Sequence, residues 1–167
     1  MKILLITFDK CDDSEVLYPY LRMQEAGCDV DVASLEKRTI HAKYWYTIDA
    51  ALLPEEIDAD RYDGLILPGG TAPEKLRQNP HILAAVKHIM NKNLPVCSIC
   101  HGQQILISTG LLRGRTATCY PGIRDDLINA GANYVNEPVV VDGTLVTSRR
   151  PEDLPSFMRE FCKLLGV

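Results

Sequence analysis

The sequence lacks long apolar runs, and it has no excess of positive charge. Its 167 residues hold 18 Lys and Arg against 22 Asp and Glu, so the net charge is −4. A membrane-spanning helix needs roughly 20 consecutive apolar residues. The short run at the start of the chain ends in charge and has no signal-peptide cleavage site. We therefore expect a cytoplasmic protein that binds neither membranes nor nucleic acid.

Cysteine occurs six times, but these residues form neither a disulfide framework nor a zinc motif. Only Cys97 and Cys100 make a C-x-x-C pair. In an extended strand their Cα atoms would lie about 10 Å apart, which is too far for a disulfide. We expect six free thiols, with Cys97 in the core, and neither a metal site nor a cofactor.

Apolar runs alternate with helix-like patterns along nearly the whole chain, which predicts one α/β domain, residues 1–167, with a mostly parallel sheet. Strands are expected at Lys2–Phe8, Cys28–Ser34, Asp63–Gly70, Pro95–Ile99 and Arg115–Tyr120, with a small β excursion within Thr39–Leu53 and a hairpin at Val139–Ser148. Helices are expected from Asp12 to Gly27, and at Pro73–Lys92, Gly102–Thr109, Pro121–Asn129 and Glu152–Leu165.

The stretch "NLPVCSICHGQQIL" joins a buried strand to a helix at Cys100. Ligands bind at the carboxyl ends of strands in open α/β sheets, and a helix N-terminus favours a thiolate. The adjacent His101 could act as a base or as a cationic partner. The pattern predicts a nucleophile on a sharp strand-to-helix turn. The alternative is a buried thiol that happens to precede a helix.

The segment "LPGG" ends the preceding core strand, so its backbone should face the same edge of the sheet. The backbone N–H groups of Gly70 and His101 are candidates for an oxyanion hole. Glycine would allow the backbone to approach a substrate closely. Without the motif at Cys100, a plain β-turn leading into the next helix would be the better interpretation.

The segments "SICHGQQILISTGLLRGR", "YPGIRDDLINAG" and "LPGGTAPEKLR", with the "YP" of "SEVLYPYLRMQEAG", resemble the PfpI family of intracellular cysteine peptidases. That family is related to the class I glutamine amidotransferases. The resemblance runs from Met1 to Leu165. It implies a flavodoxin-like three-layer sandwich, with Cys100 as the nucleophile and His101 as its partner.

The resemblance also implies further site residues. A carboxylate near the sulfur maps to Glu15, and a second one, Glu74, comes from a neighbouring subunit and orients His101. Gly70 and His101 match the amides of the oxyanion hole, and Tyr120 matches a tyrosine near that site. The shared carboxylate implies a homo-oligomer, either a dimer or a hexamer built as a trimer of dimers.

Two residues depart from the pattern of the family. Gln103 replaces the proline common after Cys-His-Gly, which would alter the stiffness of the turn or the floor of the pocket. Asp12 stands where close relatives often carry glutamate, which would alter the charge of the site. Neither departure removes the nucleophile.

Both carboxylates also have simpler interpretations. Asp12-x-x-Glu15 fits a capping box, and Glu74 on the first turn of a helix is a favourable partner for the helix dipole. If Glu15 lies beside Cys100, we expect it to be protonated. A charged carboxylate would repel the thiolate, whereas a carboxylic acid would donate a hydrogen bond to it.

Three functions fit these residues. The first is a cysteine hydrolase, a peptidase or amidase in which Cys100 attacks a peptide carbonyl. The second, implied by the resemblance, is a deglycase or glyoxalase that acts on methylglyoxal, glyoxal or early glycation adducts. The third is a non-enzymatic redox sensor or chaperone-like stress protein, because an accessible low-pKa thiol oxidises readily. We expect a hydrolase that takes a peptide or a small carbonyl substrate, with defence against carbonyl stress as its physiological role.

Overall fold

Ten strands and six α-helices follow one another along the chain, and the computed structural model describes residues 1–167. The strands are Lys2–Ile6 (β1), Asp29–Ala33 (β2), Thr39–His41 (β3), Thr47–Asp49 (β4), Gly64–Leu67 (β5), Val96–Ile99 (β6), Thr116–Ala117 (β7), Asn133–Tyr134 (β8), Val139–Asp142 (β9) and Leu145–Ser148 (β10). The helices are Asp13–Glu25 (α1), Ala72–Leu76 (α2), Pro80–Asn91 (α3), Gln103–Thr109 (α4), Arg124–Asn129 (α5) and Leu154–Leu165 (α6).

Six of the strands form the central sheet, in the order β2-β1-β5-β6-β10-β9. Every neighbouring pair is parallel except β9 and β10, which form an antiparallel hairpin that turns at Gly143. The predicted α/β class with a mostly parallel sheet is therefore confirmed. The expected β excursion contains β3 and β4, which pair with each other in a small separate sheet.

The middle of the sheet is apolar and covered on both faces. All residues of β5 and β6 are buried, as expected for parallel strands between two layers of helices. Helix α1 packs against α6, whereas α4 contacts α2, α3 and α5. Strand β2 lies on one side of β1 in the sheet, and β5, β6 and β10 lie on the other. Because parallel crossovers are right-handed, this change of direction places α1 and α6 on one face of the sheet and α2 to α5 on the opposite face. The fold is the three-layer flavodoxin-like sandwich that the resemblance implied.

The prediction of one continuous helix at Pro73–Lys92 is wrong, because the structure has two helices there. Helix α2 ends at Leu76, and α3 begins at Pro80. The side chain of Asn79 accepts hydrogen bonds from the backbone N–H groups of His81 and Ile82, which starts a new helix. Pro80 has no N–H to donate back to the preceding turn, so the first helix cannot run through it.

The strand predicted at Arg115–Tyr120 is shorter than expected and lies outside the central sheet. Only Thr116 and Ala117 are in strand β7, which pairs with β8. The ladder ends at Thr118, whose backbone N–H donates to the Thr147 hydroxyl at 2.9 Å rather than to a strand carbonyl.

No helix of the fold combines the length and the apolar character needed to cross a bilayer. All six cysteines are free thiols, and Cys97 is fully buried in β6, as predicted.

Gln103 joins three chain segments next to the turn at Cys100. It is the first residue of α4 and is fully buried. Its Nε2 donates to the carbonyl oxygens of Ser98 at 3.1 Å, Thr118 at 2.9 Å and Ser148 at 3.0 Å. These carbonyls lie near the end of β6, directly after β7 and at the end of β10, so one amide joins the segments that surround the turn. Of the two effects considered for this departure from the family pattern, the contacts support an effect on the stiffness of the turn.

We expect that Gln103→Met lowers the free energy of unfolding by about 1–3 kcal/mol, because a buried polar group left unpaired costs about that much. The two N–H groups of Nε2 are divided among three carbonyls, and the loss of Oε1, which has no partner, offsets part of the cost. Methionine keeps the length of the side chain and removes only its polar end. Urea unfolding measures the change. Gln104→Met, at the half-buried neighbouring position of α4, is the matched control. Equal losses in the two variants would mean that the three hydrogen bonds do not stabilise the fold.

Candidate active site

A cavity of about 500 Å³ opens at the carboxyl edge of the sheet, and we call it the thiol cavity. It lies where the loops after β1, β5, β6 and β10 meet. The strand order changes direction between β1 and β5, and such a switch point is where ligands bind in open α/β sheets. The cavity is lined by Lys10, Asp12, Glu15, Lys43, Gly70, Thr71, Cys100, His101, Tyr120, Arg150 and Pro151.

Cys100 occupies the sharp turn between β6 and α4 that the sequence predicted. Its φ is 61°, a left-handed conformation that is unfavourable for a residue with a side chain. A single 3₁₀ turn, Cys100–Gly102, leads into α4. The Cys100 carbonyl accepts a hydrogen bond from the backbone N–H of Tyr120 at 3.2 Å, which helps to fix this conformation. The sulfur belongs to a residue that is only 8% exposed, yet it lines the thiol cavity.

His101 lies beside the sulfur. Its Nδ1 is 3.3 Å from Cys100 Sγ, and its ring stacks on that of Tyr120 with centroids 4.7 Å apart. Burial lowers the pKa of the imidazole, so His101 is neutral at neutral pH. Of the two roles considered from the sequence, base and cationic partner, this environment favours the base.

Glu15 lies in the site rather than in a capping box. Asp12 does cap α1, since its Oδ1 accepts from the backbone N–H groups of Ser14 and Glu15. The Glu15 carboxyl, however, is fully buried, and its Oε2 accepts from the backbone N–H of Gly69 at 2.7 Å. Its Oε1 has no hydrogen-bond partner. Burial, assisted by the charge of Asp12, raises the pKa of Glu15 to about 8, so the side chain is a carboxylic acid at neutral pH.

Cys100 and Glu15 affect each other's ionisation. Burial raises the pKa of the Cys100 thiol, and a charge on Glu15 would raise it further, whereas the backbone N–H groups of His101 and Gly70 lower it. Two negative charges in this buried space would repel each other, and burial raises the pKa of both groups, so the Cys100 thiol and the Glu15 carboxyl both hold their protons at neutral pH. When the thiol gives up its proton, the Glu15 carboxyl can donate to the sulfur, and the thiolate faces two backbone donors.

The Gly69–Gly70 turn has no room for side chains. A Cβ at Gly69 would lie 2.6 Å from Glu15 Oε2 and 2.8 Å from Cys100 Cβ. A Cβ at Gly70, whose φ is 77°, would lie 2.5 Å from the carbonyl oxygen of Lys10. The predicted need for glycine therefore comes from contacts with the acid, the thiol and the first loop. These contacts hold the Gly70 N–H close to the sulfur.

Of the two remaining predicted site residues, Tyr120 and Glu74, only Tyr120 lies in the thiol cavity. Tyr120 lines the thiol cavity and is 40% exposed. Glu74 is exposed on α2 and does not line the thiol cavity of its own chain. It lines a neighbouring cavity, and the two cavities share Lys10 and Thr71. A single chain therefore assembles every expected site residue except Glu74.

Three basic residues of the cavity carry no motif that would mark them in the sequence. Lys10 and Arg150 follow β1 and β10, so the rule about strand ends that located Cys100 could also have found them. Lys43 comes from the loop between β3 and β4, and no local pattern links that loop to the edge of the central sheet.

We expect that Glu15→Ala raises the pKa of Cys100 by about one unit or more, because the thiolate loses a hydrogen-bond donor. Glu15→Gln, which keeps a neutral donor, should leave the value near that of the original protein. The rate of alkylation by iodoacetamide, followed by intact mass between pH 5 and 10, measures the pKa. Cys100→Ala provides the background from the other five thiols.

The pH profile itself tests the proton on Glu15. Because its pKa is about 8, the original protein should show a further step near that pH, and Glu15→Gln should lack it. A fall of the Cys100 pKa in Glu15→Ala would show that Glu15 is a repelling charge, contrary to the arrangement described above.

Comparison with known proteins agrees with this geometry. A model of the DJ-1/PfpI family matches residues 1–164. A deglycase of Pyrococcus abyssi is 50% identical over 165 residues, which cover 99% of each chain. YraA of Bacillus subtilis, named as a candidate cysteine protease, is 39% identical over 165 residues, which cover 98% of each chain.

Solved structures show the same fold. A two-domain protein of Anabaena variabilis, with a DJ-1/ThiJ/PfpI-like and a ferritin-like domain, superposes with a TM-score of 0.97 and 35% identity. The match covers 99% of the present chain and 48% of that protein. The expected family is thus confirmed by both sequence and structure, and the chain belongs to the DJ-1/PfpI family.

Proposed function

We propose that the chain is a cysteine-dependent hydrolase of the PfpI type, with Cys100 as its nucleophile. The observation that carries this proposal is the position of Cys100 Sγ, which borders the thiol cavity at 3.3 Å from a neutral imidazole. The backbone N–H groups of Gly70 and His101 both favour negative charge at that point. Nucleophile, base and oxyanion donors are the parts that acyl transfer requires.

In the amidase or peptidase reaction, His101 takes the proton of the Cys100 thiol as the sulfur attacks the carbonyl carbon, and the N–H groups of Gly70 and His101 stabilise the oxygen as it becomes negative. The C–N bond then breaks, and the leaving amine takes that proton from His101. Water then attacks the thioester while His101 takes one of its protons, the C–S bond breaks, and His101 returns the proton to the sulfur. Glu15 holds its proton throughout and donates to the sulfur whenever the sulfur is charged.

A deglycase or glyoxalase reaction uses the same groups on a smaller substrate. An adduct first releases its amine or thiol to give the free 2-oxoaldehyde. Cys100 adds to the aldehyde carbon, and the hydrogen on that carbon moves to the neighbouring carbonyl carbon through an enediol. Water then hydrolyses the thioester to a hydroxy acid. This alternative is supported by the deglycase of Pyrococcus abyssi, which is 50% identical to the chain, and by a cavity of a size suited to a small molecule.

We also propose that the working unit is a homo-oligomer. No side chain of the chain bonds to Nε2 of His101, and Glu74 of the partner subunit would complete that hydrogen bond. The loop between β3 and β4, which also supplies Lys43 to the thiol cavity, exposes Tyr44 and Trp45 at 72% and 70%. Two exposed aromatic residues beside the site suit contact with a second copy.

We expect that Cys100→Ala lowers turnover about 10³-fold or more on the true substrate, because the reaction loses its nucleophile. The panel is a fluorogenic peptide, and methylglyoxal with lactate as the readout. Turnover of the peptide alone assigns the peptidase, and turnover of methylglyoxal alone assigns the glyoxalase. Treatment of the protein with peroxide, followed by measurement of its intact mass, tests the third function, that of a redox sensor. Oxidation at Cys100 without any turnover would replace the hydrolase with a redox sensor.

We expect that Glu74→Gln lowers kcat about 10-fold or more while the assembly persists, because a neutral amide orients the imidazole less well than a carboxylate does. Light scattering coupled to size exclusion measures the assembly at the concentration of the assay. Glu36→Gln, an exposed carboxylate paired with Arg38 away from the thiol cavity, is the control. A monomer with full activity would disprove the shared carboxylate.

A further inference from the structure

We propose that the thiol cavity selects substrates that carry an anionic group, a carboxylate or a phosphate, near the reactive carbonyl. Lys10, Lys43 and Arg150 would bind that group. This inference rests on the proposed function, because it concerns the substrate that Cys100 attacks.

The three basic side chains share a property that most others in the chain lack. Ten of the 18 Lys and Arg residues form an ion pair with a carboxylate, and Lys10, Lys43 and Arg150 are not among them. Arg149 shows the contrast, since it pairs with Asp153 at 3.0 Å while its neighbour Arg150 lines the cavity. Lys43 Nζ lies over the ring of Tyr44, 4.8 Å from its centroid, a contact that leaves the positive charge in place. Cations without a carboxylate partner around one cavity are available to an anionic ligand.

The carboxyl groups of the cavity form no ion pair with these cations, although the charge of Asp12 acts on Lys43. Only Asp12 and Glu15 line it, and Glu15 is a carboxylic acid at neutral pH. Asp12 directs Oδ1 to the start of α1, where it accepts from the Ser14 hydroxyl at 2.7 Å and from two backbone N–H groups. The lining thus holds three positive groups and one carboxylate, although the net charge of the whole chain is −4.

The thiolate alone does not account for three cations. The charges of Cys100 and Asp12 together balance two of them, which leaves one positive charge for a ligand. If the cations acted only on the thiolate, they would raise its reactivity toward neutral and charged carbon centres alike. If the cations instead select an anion, they should raise the rate of reaction at Cys100 more for a negatively charged reagent than for a neutral one.

Backbone hydrogen bonds restrain the positions from which two of these side chains extend. The backbone N–H of Lys10 donates to the His41 carbonyl at 2.8 Å, and the backbone N–H of Lys43 donates to the Cys11 carbonyl at 2.9 Å. These bonds join the loop after β1 to the segment that contains β3 and β4, so both lysine side chains extend from restrained backbone. Such placement reduces the entropy that a ligand must remove on binding.

The test uses two reagents that differ only in charge near the reactive carbon. Iodoacetate is an anion and iodoacetamide is neutral, and with each the thiolate forms an S–C bond as iodide leaves. The ratio of the two rates at Cys100 does not depend on the thiol pKa, because both reagents react with the same thiolate. Division by the same ratio for glutathione removes the difference in intrinsic reactivity between the reagents. We expect this normalised ratio to exceed 1 by about tenfold in the original protein and to fall with added salt.

Substitutions that remove one positive charge at a time identify the residues that bind the anion. Lys43→Gln and Arg150→Gln should each lower the ratio about three- to tenfold. Lys87→Gln, on the exposed face of α3 and outside the cavity, is the control and should leave the ratio unchanged. Protection of Cys100 by acetate or by inorganic phosphate distinguishes the two kinds of anion.

A matched pair of substrates extends the test to turnover. Methylglyoxal forms the same hemithioacetal with N-acetylcysteine and with its amide, and only the first carries a carboxylate. A kcat/KM preference for the carboxylate that disappears in Arg150→Gln supports the inference. Normal turnover with a normalised ratio near 1 overturns the inference and leaves the proposed function intact. A Cys100 that reacts with neither reagent overturns both.

Discussion

The close approach of the turn after β5 to the bend at Cys100 is the constraint on which the site depends. Register places the two strand ends side by side, with Leu67 opposite Ser98. Gly102 packs against the Leu67 carbonyl so closely that a Cβ there would lie 2.3 Å from it. Cys100 is held in a left-handed conformation at a cost of about 1–2 kcal/mol. The packed sheet imposes this conformation, and the result is a sulfur that faces backbone donors.

Burial has two opposing effects at this point. It raises the pKa of both the thiol and the carboxyl, so it works against the thiolate that the chemistry needs. The same burial keeps Glu15 protonated, and a protonated acid stabilises the thiolate instead of repelling it. The backbone N–H groups of Gly70 and His101 supply the remaining compensation. A more exposed Glu15 would be charged at neutral pH, and the nucleophile would lose its donor and gain a repelling neighbour.

The sequence was sufficient to predict an element or a site residue where the local pattern of residues agrees with the tertiary structure. The apolar runs of β5 and β6, bounded by turn residues, indicated buried parallel strands, and a Cys-His-Gly at a strand end could be located by topology. Glu15 could not be assigned from spacing, because Asp12-x-x-Glu15 fits a capping box and the decisive bond comes from Gly69, 54 residues away. The pair Asn79-Pro80 is a sequence signal for the break between α2 and α3. The helical spacing of apolar residues continues on both sides of this pair, and for that reason a single helix was predicted. The resemblance to a family supplied what spacing could not.

The peptidase and the deglycase require the same arrangement at the reacting carbon. In both proposed reactions, an sp² carbon would meet the sulfur while its oxygen would lie against the N–H groups of Gly70 and His101. The turn at Cys100 therefore cannot discriminate between an amide and an aldehyde. Because the thiol residue is only 8% exposed, a folded protein surface does not reach it, and the substrate must be a small molecule or an extended segment. Discrimination among such substrates falls to the residues at the rim of the cavity, where the chain places its unpaired basic side chains.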